Sequence, residues 1–283
     1  VNLLDLTLQQ IAFGWDTEEL NVIIKPMVVN GAEAIGSMGD DTPLAVLSKR
    51  PKLLYTYFKQ LFAQVTNPAI DSIRERVVMS LATSVGHRRS WLEEGPDHAK
   101  LVRINSPFLL DYELETLRSV NDGEFASADI ACHFNFKDGE KGLETAIQRI
   151  CKEASIAVDA GKAVLILSDK NTDADLVPIP MLIAVGAIHH HLIREGKRLK
   201  ASIICETGEA RDVHQFACLV GFGASAINPY VAIDTVRQWI EDGELDELAL
   251  DKALANYRIS IENGMLKIMA KMGISTMSSY RGA

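Results

Sequence analysis

From residue 101 onward, short apolar and β-branched runs alternate with longer segments of helical period, and this alternation constrains the fold more than any other feature of the chain. Candidate strands are Leu101 to Ile104, Ala128 to His133, Ala163 to Leu167, Ser202 to Cys205 and Ala224 to Ile227. Helices are expected around Glu113 to Arg118 and over Lys141 to Asp159, Ile179 to Ile193, Arg211 to Val220 and Tyr230 to Ile240. In the second of these, Leu143, Ala146, Ile147, Ile150, Cys151, Ala154 and Val158 share one face, and Gly161 stands at the C-cap position. Ala163 to Leu167 is apolar without alternation, as in a strand covered on both faces. Strands joined by helical crossovers run parallel. The fold class is therefore α/β, with parallel βα units forming either an open doubly wound sheet or a partial, degenerate (β/α) barrel.

A helical N-terminal region precedes these units. Asn2 to Ala12 has helical spacing, and Asp16-Thr17-Glu18-Glu19 opens a second helix with acids where its dipole favours them. Leu20, Ile23, Ile24, Met27 and Val28 form its apolar stripe, and Asn30-Gly31 ends it. Residues 31–43 read as a loop. Pro51 introduces a helix over Leu53 to Gln64, which stops at Asn67-Pro68 because the residue before proline leaves the α region. Asp71 can cap a short helix through Ile73, Val77 and Val78. Residues 245–271 add two helices, and Met272 to Thr276 could form a sixth strand. The expected parts are 1–100 (helical), 101–256 (βα units) and 257–283.

Composition excludes several function classes. The 283 residues carry 38 acids against 29 Lys and Arg, a net charge of −9 that disfavours a nucleic-acid surface. No apolar run is long enough for a membrane span, so no membrane partner is expected. Cys132, Cys151, Cys205 and Cys218 match no zinc or iron–sulfur spacing and read as buried reduced thiols of a cytosolic-type compartment. Residue 1 is Val, no targeting segment is visible, and the chain stops at Tyr280-Arg281-Gly282-Ala283 without a closing element, as a piece of a longer polypeptide would.

Ligands of parallel α/β folds bind at the carboxyl ends of strands. Here those positions hold Asn105, His133, Asn135, Ser168, Asp169, Lys170, Glu206, Thr207, Asn228, Ser275 and Thr276. Polar residues also simply begin loops, so position alone does not make them a site. Gly221-Phe222-Gly223-Ala224-Ser225 precedes a strand and reads as a tight helix-to-strand turn rather than a phosphate loop. His189-His190-His191 cannot converge on one ion, because consecutive helical residues point about 100° apart. Asp40-Asp41 and Glu18-Glu19 are adjacent and do not face one another as an acid–base pair would. No complete catalytic set is visible.

Long stretches of the chain nevertheless resemble one family. They include Gly36 to Ser48, Leu53 to Asn67, Ile70 to Ser80, Ile179-Pro180-Met181-Leu182, Gly186 to Leu192, Cys205-Glu206-Thr207-Gly208-Glu209-Ala210-Arg211, Asn228-Pro229-Tyr230 and Met265 to Ala283. These resemble the central domain of the glutamate synthase large subunit. The resemblance implies a parent enzyme making glutamate from glutamine and 2-oxoglutarate. An amidotransferase domain would release ammonia, and a flavin barrel with FMN and an iron–sulfur cluster would consume it. The central domain would link these two partner domains and line part of the ammonia tunnel, with Thr66, Asn67 and Ile70 near its entrance. No cofactor, metal or catalytic residue is implied within this chain, and residues 257–283 would run into the flavin barrel. The implied location is cytoplasmic, or the plastid stroma in a plant or alga. Beside this scaffold reading stand an independent barrel enzyme binding flavin or a phosphorylated ligand at its strand ends, and a pure interaction module.

Overall fold

The structure is a computed structural model that describes residues 3–36, 44–49, 51–59, 66–120, 123–245 and 247–283. The elements begin with α1 (Leu3–Ala12), a π-helical turn (Glu19–Ile24) and α2 (Lys25–Asn30). Next come β1 (Thr83–Val85), β2 (Val102–Ile104), α3 (Asp111–Ser119), β3 (Ser127–Ala131) and β4 (His133–Asn135). The chain continues through α4 (Gly139–Asp159), β5 (Val164–Ser168), β6 (Leu176–Pro178), α5 (Met181–Arg194) and β7 (Ser202–Glu206). It ends with α6 (Val213–Phe222), β8 (Ala224–Asn228), α7 (Tyr230–Glu241), α8 (Leu250–Met272) and the single turn α9 (Met277–Tyr280). Contacts divide the chain into two units: Val1–Ser80, Gly208–Cys218 and Tyr230–Thr276 form the first, and Leu81–Thr207, Leu219–Pro229 and Met277–Ala283 the second.

In the second unit, four strands form a parallel sheet in the order β3-β5-β7-β8. Each strand pairs with the next one in sequence, with a crossover helix between them, which is the winding of a barrel segment rather than of a sheet whose order reverses midway. Val164, Ile166, Ile204 and Ala226 join Leu109, Leu114 and Leu117 in one buried cluster, so α3 covers one face. The alternate residues Leu165, Leu167, Ile203 and Cys205 are equally buried, with α5 packed on β5 and β7. Burial of both faces explains the continuous apolar runs.

The first expected strand does not join this sheet. Val102–Ile104 pairs antiparallel with Thr83–Val85, and the parallel neighbour of β8 is supplied further along by residues 107–109. Ile227 N–H donates to Pro107 O (2.7 Å), and Leu109 N–H donates to Ile227 O (2.9 Å). An apolar run predicts extended backbone, but its pairing partner is a tertiary choice.

The first unit packs α2 against α8, and α1 and α8 against α7. Asp16 Oδ1 accepts from Glu19 N–H (2.7 Å), and Ile24, Met27 and Val28 are buried, as the stripe predicts. Gly31 (φ 63°) ends α2, whose last carbonyls are satisfied from α8: Asn256 Nδ2 donates to Val28 O (2.9 Å) and Ser260 Oγ to Met27 O (3.0 Å). Residues 245–271 hold one long helix, α8, rather than two. Gly264 sits in its middle because Val213 lies where a Cβ would be, 2.4 Å from it.

Three other expectations change. Of the helix over 53–64, only a 3₁₀ turn, Leu54–Tyr57, lies among the described residues, and Phe58 is already extended. Thr56 and the flanking aromatics are weak helix formers, and the Thr56 hydroxyl donates to Leu53 O (2.7 Å). After Asp71 there is only a turn and the 3₁₀ segment Arg76–Val78. Instead of a sixth strand, Thr276 makes one parallel bridge with Ser80. Asp40-Asp41 lies outside the described residues.

Candidate functional site

The carboxyl ends of the sheet carry a closed polar network. Glu206, the last residue of β7, is 3% exposed. Its Oε2 accepts from Ser168 Oγ (2.6 Å) and from Arg118 Nη2 of α3 (2.8 Å), and Lys170 Nζ lies 3.6 Å from Oε1. Arg118 also donates through Nε to Asp129 Oδ1 (2.9 Å) and pairs with Glu115. Burial works to lower the Arg118 pKa, but Glu206 and Asp129 outweigh it and hold the guanidinium above its ordinary value. Alongside, the fully buried Asp169 accepts from Thr207 Oγ1 (2.5 Å), and Asn228 Nδ2 donates to Leu109 O (3.0 Å) and Asp111 Oδ1 (2.9 Å).

A cavity of about 410 Å³ opens above this network, lined by Arg118, Asp129, His133, Ser168, Lys170 and Glu206 among others. Its charged groups are paired from within, while the buried Nε2 of His133 has no partner among the described residues. Two cations face two carboxylates, and the backbone N–H groups of Asp169 and Lys170 are taken by Glu206 O (3.2 Å) and Ser168 Oγ (3.2 Å). A flavin phosphate requires uncommitted cations or amides, and the cations and amides named here are already engaged. Among the described residues no three His, Cys, Asp or Glu side chains converge as metal ligands, and the four cysteines are free thiols. Burial, chiefly, pushes the Cys132 thiol far above its ordinary value. The described residues present no set of ligands for an iron–sulfur cluster.

Of the strand-end residues singled out from the sequence, the structure brings together Ser168, Asp169, Lys170, Glu206, Thr207 and Asn228. His133 borders the cavity, whereas Asn135 accepts from Lys137 N–H (2.9 Å) and Asn105 is exposed. Ser275 and Thr276 belong to the first unit. Arg118, Asp129 and Asp111 were not foreseen. Arg118 stands in a helix that the sequence does predict, but nothing local marks it as the counter-ion of a strand 88 residues away.

The residues Cys205 to Arg211 open into a second network, in the first unit. Arg211 is 2% exposed, with its guanidinium 5.0 Å from the Trp15 ring centroid. It donates to Phe13 O (3.2 Å), Gly14 O (2.9 Å), Glu209 O (3.2 Å) and Glu19 Oε2 (2.7 Å). Trp15 Nε1 donates to Gly208 O (2.9 Å), Tyr55 Oη to Glu209 Oε2 (2.9 Å) and Tyr257 Oη to Arg211 O (2.6 Å). Arg211 Nε is buried without a partner among the described residues, but the other bonds of this motif tie the N-terminal helices to the chain after β7. Thr66 and Asn67 are exposed and Ile70 is half-buried, all in bends of the same unit. Nearby, Ile73 (85% exposed), Val77 (93%) and Val78 (56%) present an apolar stripe outward rather than into a core.

The histidine tract diverges as helical geometry requires. His189 lines a cavity, His190 is exposed, and His191 Nε2 lies 3.2 Å from Glu195. Gly223 (φ 127°) makes the expected tight turn, and a Cβ there would lie 2.5 Å from the His189 ring. No helix among the described residues is long and apolar enough to cross a membrane.

Residues 8–283 match the family described as "Glutamate synthase central domain". The chain is 47% identical to ferredoxin-dependent glutamate synthase 2 of Synechocystis sp. over 97% of its own length and 18% of that protein's. It is 45% identical to the glutamate synthase [NADPH] large chain of Bacillus subtilis, over 99% of its own length and again 18% of the relative's. The chain thus spans about a fifth of the length of these curated relatives. Among solved structures, a mandelate oxidase mutant with an FMN adduct is matched at 12% identity over 78% of this chain and 92% of its own, with a TM-score of 0.38. A superposition that loose decides neither fold nor function.

Proposed function

Because the chain belongs to the glutamate synthase central domain family, we propose that it is a connecting domain without chemistry of its own. It would join an amidotransferase domain to a flavin barrel in a polypeptide that makes glutamate from glutamine and 2-oxoglutarate, in the cytoplasm or a plastid stroma. Residues 257–283 would form the approach to the flavin barrel, and ammonia would pass along this domain. The observation that carries the reading is the paired network at the strand ends. There Arg118 and Lys170 face Glu206 and Asp129, so the charged groups of the cavity are paired with one another. FMN and the iron–sulfur cluster would be held by other parts of the polypeptide. The exposed apolar stripe Ile73, Val77 and Val78 suits a face that a neighbouring domain covers.

The test is the visible spectrum of the 283-residue chain after incubation with FMN and desalting. A colourless protein is expected. One flavin retained per chain would overturn the reading in favour of an independent flavin enzyme.

For Thr66, Asn67 and Ile70 the proposed role is to line the tunnel entrance. Thr66 and Asn67 stand in exposed bends ahead of Pro68. Ile70→Trp in a full-length glutamate synthase should narrow the entrance. Free ammonia should then leak, and more glutamine should be hydrolysed than 2-oxoglutarate is consumed. An unchanged one-to-one stoichiometry would remove Ile70 from the tunnel.

A further inference from the structure

At the opposite, amino ends of the strands, where β7 and β8 begin, a second cavity of about 410 Å³ is lined by Arg88, His189, Arg198, Ser202 and Arg281, with the stem of Leu199. Its charges are all of one sign. Arg198 is spent on neutral acceptors: Nε donates to His189 Nδ1 (2.9 Å), Nη1 to Ala201 O (2.7 Å) and Nη2 to Gly223 O (2.8 Å). Arg281 donates from Nη2 to Ser225 Oγ (3.2 Å), while its buried Nε has no partner. The Arg88 main chain is fixed by donation to Leu199 O (2.8 Å), and its guanidinium is bonded to no described residue. The nearby acids are engaged elsewhere. Glu124 pairs with Arg89 and Lys100 at 3.1 Å, and Glu195 with Lys197 at 2.9 Å and His191 at 3.2 Å.

The electrostatics agree with this geometry. Burial first, and then Arg281 and Arg88, bring Arg198 down to about 9. Burial and Arg88 lower Arg281. Burial, Arg198, His190 and Arg281 hold His189 down to about 4, so its ring is neutral at pH 7. Gathering three guanidiniums without a carboxylate, in a chain of net charge −9, costs free energy that an anion would recover.

We propose that this cavity is an oxyanion site, taking a phosphate or carboxylate group between Arg88 and Arg281 over the start of β7 and β8. Arg198 and the neutral His189 form its floor. The inference does not depend on the connecting role proposed above. The oxyanion is either a free ion or an acidic side chain from elsewhere in a longer polypeptide, and the test separates the two.

The probe is inorganic phosphate, read as the thermal midpoint of the chain against sodium chloride of matched ionic strength. Phosphate is expected to raise the midpoint saturably beyond the chloride control. Arg88→Gln and Arg281→Gln are each expected to weaken that response roughly tenfold or more, the loss of one charge-assisted hydrogen bond. Without phosphate, Arg88→Gln should be at least as stable as the parent chain, because it relieves like-charge repulsion, and this keeps the test clear of misfolding.

In a full-length glutamate synthase, a persisting phosphate response assigns a free ion. A vanished response together with destabilisation by Arg88→Gln assigns an internal acid. The proposal is overturned if phosphate acts no differently from chloride on the chain, or if its effect survives both substitutions.

Discussion

Arg211→Ala is expected to destabilise the folded chain by about 3–5 kcal/mol, the loss typical of breaking a buried ion pair from one side. Urea unfolding at 25 °C would measure it. The size follows from what the guanidinium holds. Three backbone carbonyls, of Phe13, Gly14 and Glu209, and the Glu19 carboxylate all accept from it at 2.7–3.2 Å, in a site where Arg211 is 2% exposed. Removing it strands these acceptors and empties the space above the Trp15 ring. Arg211→Lys should recover only part of the loss, since one ammonium cannot reproduce a planar fork that reaches Phe13 and Glu209 from Nη1 and Gly14 and Glu19 from Nη2. A loss below about 1 kcal/mol, the range of a solvent-exposed ion pair, would show that the network is ornamental.

Three residues earlier, Gly208→Ala should be nearly as damaging. A Cβ at that position would stand 2.4 Å from Cδ2 and Cε2 of Phe13, far inside van der Waals contact. Phe13 cannot yield cheaply: it is 1% exposed and sits edge-on to Tyr230, with ring centroids 6.2 Å apart. Overpacking of this kind costs about 1–3 kcal/mol, and more where the neighbour is pinned. Gly95→Ala is the control, because nothing lies within 4 Å of its Cβ position, and it should leave stability unchanged or slightly raised. The pair Gly208→Ala with Phe13→Leu should cost less than the sum of the two single changes, since the smaller side chain relieves the clash. Strict additivity would show that the cost arises somewhere other than this contact.

Much of the parallel sheet was legible because burial on both faces writes an unbroken apolar run, as at Ala163 to Leu167, and because left-handed glycines close the helices, as at Gly31 and Gly161. Pairing was less legible. Leu101 to Ile104 has the same local appearance as the sheet strands, yet it pairs with Thr83–Val85, and the parallel neighbour of β8 is a short run at Pro107 that carries no strand signal. Six of the eleven strand-end positions, Ser168, Asp169, Lys170, Glu206, Thr207 and Asn228, do meet at the carboxyl ends of the sheet. What they do was hidden, because the neutralisation of Glu206 comes from Arg118 in another element, and charge pairing across that distance leaves no spacing to read. The cationic cavity was hidden likewise: Arg88, Arg198 and Arg281 lie in three separate stretches, and only the fold brings them together.

The first unit is assembled from three separated lengths of chain, Val1–Ser80, Gly208–Cys218 and Tyr230–Thr276. On a ribosome this imposes a delay. The carbonyl of Phe13 is made 198 residues before the Arg211 guanidinium that it accepts from. At roughly 5–20 residues per second, Phe13 and Trp15 would wait about 10–40 s without their partners. During that interval their aromatic surface needs shielding, either by transient local collapse or by a chaperone that recognises exposed apolar segments. Slowing synthesis between Trp15 and Arg211 would therefore lower the yield of folded protein more than an equal pause placed after Thr276.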